Sequence, residues 1–167
     1  MDTKSPVLFI GHGSPMNALE RNDWTRALNQ LGETLPKPKS IACVSAHWVT
    51  HGTKVLTVEH PKTIYDFGGF PDELYQIVYA APGSPQDAQK TVDLLKTFRA
   101  QGDQQWGFDH GTWSVLLHMY PQADVPIYQI SLDQGLSEKA HLEVGKSLRA
   151  LRDEGVMIVG TGNIVHN

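Results

Sequence analysis

Four consecutive β-prone apolar residues, Val7-Leu8-Phe9-Ile10, are closed by Gly11; the run is too short for a helix and suits a buried strand. Similar segments recur along the chain. Ser40-Ile41-Ala42-Cys43-Val44-Ser45-Ala46 is small, apolar and continuous, as in a strand covered on both faces, and is expected to stop at His47-Trp48. Val55-Leu56-Thr57-Val58 reads as a third short strand, Pro126 to Leu132 as an alternating one, and Val156-Met157-Ile158-Val159 as a buried one ending at Gly160-Thr161-Gly162-Asn163. Between them the apolar spacing turns helical. Leu19, Trp24, Leu28 and Leu31 predict a helix over 17–35, ended by Pro36 and Pro38. Ser84 and Pro85 open a second, to about residue 100, that buries Ala88, Val92, Leu95 and Phe98. A helical run passes through Val115, Leu116 and Met119 to Pro121. A last helix over 137–153 sets Leu142, Val144, Leu148 and Leu151 on its apolar side and His141 on its exposed side. Residues 72–80 read as a short helix or an irregular segment, and 63–71 and 106–113 as loops rich in aromatics and glycine.

Strands alternating with helices predict an α/β fold with right-handed crossovers: a largely parallel central sheet flanked by helices on both faces. The 167 residues suit a single domain with an independent core, and no repeat or linker interrupts them. The expected unit is therefore 1–167, one catalytic α/β domain, with its C-terminal part expected to be missing because Asn167 follows the last strand so closely. A net charge of -4 and a pI near 6.0 offer no broad positive field for nucleic acid. The N-terminal apolar run is too short for a signal-peptide core and none approaches a membrane span, so a cytoplasmic location is expected. The lone Cys43 excludes an intrachain disulfide and a cysteine-based zinc finger, and reads as a small buried hydrophobe in a reducing compartment.

Histidine is the residue type that suggests chemistry. Of the eight, His12 follows the first strand by two residues, His47 directly follows the second, and His166 lies after the last. Open α/β sheets bind ligands beyond the carboxyl ends of their strands, and imidazoles meeting there from separate strands make a rigid metal platform. His110, in Asp109-His110-Gly111-Thr112-Trp113, is a fourth candidate. Singly, each histidine is also explained by solvation or capping in a loop, and His51, His60 and His118 read as surface or packing residues. Phe67, Phe70, Trp106 and Trp113 either pack their loops or line an aromatic-ligand pocket. Gly11-His12-Gly13 lacks the third glycine of a dinucleotide turn, where Met16 stands. A phosphate-binding loop, a Gly-x-Ser-x-Gly elbow and a His-Glu-x-x-His pair are all absent. Residues 160–163 permit an anion nest or oxyanion hole.

Five segments taken together, Gly11-His12-Gly13-Ser14-Pro15-Met16, Ser45-Ala46-His47-Trp48, Asp66-Phe67-Gly68-Gly69-Phe70-Pro71, Asp109-His110-Gly111-Thr112-Trp113 and Gly162-Asn163-Ile164-Val165-His166-Asn167, resemble the class III extradiol ring-cleavage dioxygenases. The resemblance spans nearly the whole chain and implies that His12 and His47 bind metal. His166 matches either a further ligand or the acid/base beside the metal, and His110 matches a pocket histidine that orients dioxygen or the diol. It further implies one divalent non-haem metal ion, Fe(II) for ring cleavage with Zn(II) fitting the same site. The implied partners are O2 and a small-molecule catechol such as DOPA, opened beside its diol to a muconic semialdehyde, with no nucleic acid or membrane. Two other readings remain at this level: a hydrolase with a zinc-bound water nucleophile, and a non-enzymatic ligand-binding member of the fold.

Overall fold

The computed structural model describes residues 4–165. A six-stranded sheet is built from β1 (Val7–Ile10), β2 (Ser40–Thr50), β3 (Lys54–Leu56), β4 (Gln101–Asp103), β5 (Ile127–Asp133) and β6 (Val156–Thr161), in the order β1-β6-β2-β5-β3-β4. Its pairs are parallel except β3 with β5, which is antiparallel. The largely parallel α/β sheet expected from the alternation of segments is therefore present. The helices are α1 (Asp23–Thr34), α2 (Pro85–Leu94), α3 (His110–Met119) and α4 (Glu138–Leu148). None of the described helices is long and apolar enough to cross a membrane.

Successive side chains of a strand point to opposite faces, and β2 feeds a core on each. Ile41 and Cys43 join Leu28 of α1, Trp113 and Leu116 of α3, and Met157 and Val159 of β6 on one side. Ala42 joins Ala88 of α2, Leu148 of α4, Tyr128 and Ile130 of β5, and Ile158 on the other. Burial on both faces is why β2 and β6 read as continuous apolar runs; β5 is buried on both faces as well although its sequence alternates, and β1, expected to be buried, exposes Val7 and Phe9 because it lies at the edge of the sheet. Cys43 is buried as expected, and that burial, outweighing the lowering effect of its contact with Thr112, pushes its thiol pKa up to about 12. On the first face α1 and α3 touch closely: a Cβ on Gly32 would lie 2.0 Å from the carbonyl oxygen of Met119.

Several boundaries differ from expectation, each for a local reason. The helix expected over 17–35 divides into a 3-10 turn, Pro15–Ala18, and α1, because Asn22 and Thr25 form a reciprocal cap that fixes a new start. The helix opened by Ser84 ends at Leu94 and continues as a 3-10 turn, Lys96–Phe98. Ser84 also caps differently from expectation, donating its hydroxyl to Asp87 instead of accepting a backbone N–H. The last helix ends at Leu148 and passes into a 3-10 segment, Arg149–Glu154. There Leu142 is 60% exposed, whereas His141 is half-buried beside Val144 and Leu148, the reverse of the predicted sides. The strand β4 carries no apolar run to betray it; it exists by pairing with β3.

Candidate metal centre

The loop after β1 is clamped before any histidine chemistry is considered. Gly13 adopts a left-handed φ of 65°, which glycine tolerates, and its N–H donates to Asn163 Oδ1 at 3.0 Å. Trp24 of α1 donates its indole N–H to the carbonyl of Gly11 at 3.0 Å. His12, between these anchors, is only 2% exposed. Asn163 is thereby spent on the β1 loop, Gly160 and Thr161 lie within β6, and the Gly162 N–H donates to Ile10 O, so 160–163 form a clamp rather than the anion nest that their composition permits.

His47 was expected just beyond its strand but lies inside β2, at the irregularity between Val44 and Val49 where the register to β5 shifts. Its backbone N–H donates to Ser45 Oγ at 3.2 Å, and Ser45 Oγ donates in turn to Asp109 Oδ1 at 2.6 Å. His110 was expected in a loop and occupies the first turn of α3, because Asp109 caps that helix by accepting the Thr112 N–H. Asp109 is fully buried, and Gln129 Nε2 donates to it at 2.8 Å. A carboxylate in such a place is tolerable only because donors surround it, and it ties α3 to β2 and β5. Glycine at 111 lets these pieces close: a Cβ there would stand 2.6 Å from Ser45 Oγ and 2.9 Å from His47 Cδ2.

His12, His47 and His110 converge from three separate elements. The Nε2 atoms of His12 and His47 are 3.0 Å apart, and the ring centroids lie 4.8 Å (12–47), 5.4 Å (12–110) and 3.9 Å (47–110) from one another. One donor nitrogen from each of the three falls within 4.8 Å of the others, a spacing suited to a metal ion. His166, the remaining candidate, lies outside the described residues. His110 does not pair with its neighbour Asp109 but with Asp66, whose Oδ2 stands 3.0 Å from His110 Nδ1 and 3.4 Å from His47 Nδ1, and whose Oδ1 accepts the His110 backbone N–H at 2.8 Å. Burial alone would raise the Asp66 carboxyl; the ring and backbone N–H of His110 outweigh it and hold the group below its ordinary range.

Asp66 is the residue that reading the sequence missed as a site member. It stood inside a segment of the resemblance, but nothing local linked a loop carboxylate to histidines so far along the chain. His118 and His51 fill the bland roles expected of them: His118 Nε2 contacts Asn17 O at 2.8 Å, and His51 meets Gln134 at the surface. The aromatic residues divide. Trp113 is fully buried and donates to Ile64 O, and Trp106 stacks on Trp48 with centroids 5.7 Å apart, so both are packing residues. Phe67 instead presents an edge-on contact to His110 at 5.5 Å and meets Phe70 at 5.4 Å, which puts apolar rings beside the histidines.

Comparison with known proteins agrees with this geometry. Residues 7–167 match the family model described as the catalytic LigB subunit of aromatic ring-opening dioxygenase. The chain is 55% identical over 166 residues to 4,5-DOPA dioxygenase extradiol of Escherichia coli (strain K12), covering 99% of this chain and 61% of that one. It is 42% identical to the protein of the same name from Beta vulgaris, covering 99% of this chain and 64% of that one. The crystal structure of an uncharacterized Escherichia coli K12 protein superposes with a TM-score of 0.83 at 49% identity, covering 98% of this chain and 62% of that one. The chain thus spans a little over three-fifths of the length of these relatives. With His12, His47 and His110 gathered at one place and its residues matched from Val7 onward, the chain belongs to the LigB family of aromatic ring-opening dioxygenases.

Proposed function

We propose that this chain carries the histidine centre of an extradiol ring-cleavage dioxygenase, which uses one divalent non-haem metal ion to insert O2 into a catechol such as DOPA and opens the ring beside the diol to a muconic semialdehyde. The observation that carries the reading is the 3.0 Å approach of His12 Nε2 to His47 Nε2. Nitrogens bound to one ion at about 2.0–2.1 Å, in tetrahedral or octahedral array, stand roughly 3.0–3.4 Å apart, so the pair fits a shared metal. His12 and His47 are the proposed ligands, with His166 as a third ligand or as acid/base. Fe(II) suits ring cleavage, and Zn(II) fits the same donors. When bound, the metal supplies a Lewis-acidic anchor for both diol oxygens and the electron flow that dioxygen requires.

The chain's own residues do the rest. His110 takes a diol proton and later returns it, and Asp66 steadies the charge that develops on its ring. Phe67, against the His110 edge, offers an apolar wall to an aromatic ring, and the burial of His12 and His110 limits the access of water. The buried thiol of Cys43 accords with a cytoplasmic location.

The test is oxygen consumption by anaerobically Fe(II)-loaded protein, as this chain and as this chain joined to the unmatched part of the Escherichia coli relative. A catechol is expected to be consumed with O2 to a yellow product. His47→Ala is expected to lower turnover by more than about 100-fold, beyond the loss typical of a supporting residue. Absence of oxygen uptake with every catechol tried, after verified iron loading, would refute the reading.

A further inference from the structure

Asp66 touches two of the clustered rings through the same oxygen, Oδ2, at 3.0 Å from His110 Nδ1 and 3.4 Å from His47 Nδ1. The carboxylate has little freedom to turn away, because its other oxygen is held by the backbone N–H at the start of α3. A negatively charged oxygen this close to a ring nitrogen is attracted by an N–H there and repelled by a lone pair. At the far side of His47, its Nε2 faces His12 Nε2 at 3.0 Å, a distance at which one of the two nitrogens must carry hydrogen and the other must accept it.

We propose that Asp66 is the positioning residue of this centre: it fixes neutral His47 and His110 in the Nδ1–H tautomer and, through His47, sets His12 in the opposite, Nε2–H tautomer when metal is absent. The order of contacts is then Asp66 carboxylate, His47 Nδ1–H, His47 Nε2 lone pair, His12 Nε2–H. One loop carboxylate thereby leaves Nε2 as the basic nitrogen of both His47 and His110, ready for a metal or a substrate proton. His12 must move its proton to Nδ1 before it can ligate through Nε2, so one of the two ligand nitrogens is prepared in advance and the other is not. This assignment rests on the proposed metal reading for its purpose, but its geometry stands without a metal.

The experiment separates the two. Long-range proton–nitrogen spectra of the metal-free 167-residue chain, ¹⁵N-labelled at histidine and recorded above pH 8, report each tautomer directly. Nδ1–H on His47 and His110 with Nε2–H on His12 is expected. Asp66→Asn, nearly isosteric but able to donate, is expected to shift His47 and His110 toward Nε2–H, with Asp66→Glu restoring the original pattern in part. Co(II) titration followed by its visible spectrum is expected to show affinity reduced about 10–100-fold in Asp66→Asn. Circular dichroism confirms that both variants are folded; if Asp66→Asn is not, Asp66→Glu and the wild-type spectra still decide. Wild-type His47 found as Nε2–H, or tautomers unmoved by Asp66→Asn in a chain that binds Co(II), overturns the role of Asp66 while sparing the metal reading. Tautomers that respond as expected in a chain that binds no divalent ion sustain the role and overturn the metal reading.

Discussion

At the scale of single residues, the centre depends on a glycine as much as on its histidines. Gly111 sits where any side chain would press on Ser45 Oγ, His47 Cδ2 and Asp109 Oδ1 at once. Gly111→Ala is expected to cost about 1–3 kcal/mol in chemical denaturation, the usual penalty of overpacking, even though alanine is the better helix former. Because the displaced atoms belong to the His47 support, Co(II) affinity is expected to fall in the same variant by more than stability alone explains. A substitution at Gly145 of α4, where a Cβ meets nothing within 4 Å, is the matched control and is expected to leave Co(II) binding unchanged.

At the scale of elements, a second buried carboxylate secures the opposite face. Asp87, in the first turn of α2, accepts Lys39 Nζ at 2.7 Å, Ser40 Oγ at 2.7 Å and Ser84 Oγ at 3.0 Å, binding the helix to the start of β2. Burial would raise this carboxyl, yet the three donors and the Lys39 charge hold it below its ordinary value. A carboxyl that is more acidic folded than unfolded binds fewer protons folded, so its contribution is complete above the unfolded pKa, about 3.9, and disappears as pH falls through the lower folded value. The stability difference between wild type and Asp87→Asn is therefore expected to be on the order of 2 kcal/mol and constant from about pH 7 to 5, and to shrink below about pH 4. Urea unfolding across that range measures it; a gap that widens on acidification contradicts the assigned sign.

Across the whole molecule, the site is assembled from distant parts of the chain. Among the described residues the strand β1 pairs only with β6, Val7 facing Ile158 and Ile10 facing Thr161. The same junction carries the Gly13 to Asn163 hydrogen bond that clamps the His12 loop. Closing so long a loop is costly in chain entropy before the pairing rewards it, so β1 is expected to dock late in folding. Deleting residues 1–10 is expected to abolish Co(II) binding and weaken the cooperativity of unfolding, read by the fluorescence of Trp24, which is anchored on Gly11. Retention of wild-type metal affinity after that deletion would show that His12 needs no sheet to reach its partners. Along the same edge, Phe9 and Val7 are exposed, and Phe9, Ala46, Leu132 and Gly162 border one apolar depression of the sheet.

How much of this was legible in the sequence follows from the range of the forces involved. Periodicity and turn chemistry are local, so the strands from Val7, Ser40, Ile127 and Val156 were readable, as were helices ended by proline or glycine. The strand β4 was not, because Gln101-Gly102-Asp103 has no apolar signal and gains its conformation from a neighbour. His12 and His47 were legible as candidates because strand ends in such a sheet converge on one rim, whatever the details. The sequence alone determined the alternating layers, the doubly buried strands and the supply of imidazole at those ends. Only the tertiary structure decided that His110 turns inward from a helix start, that Asn163 is consumed in a clamp, and that Asp66 joins His47 to His110, since a carboxylate finds its partners through space and leaves no period in the chain.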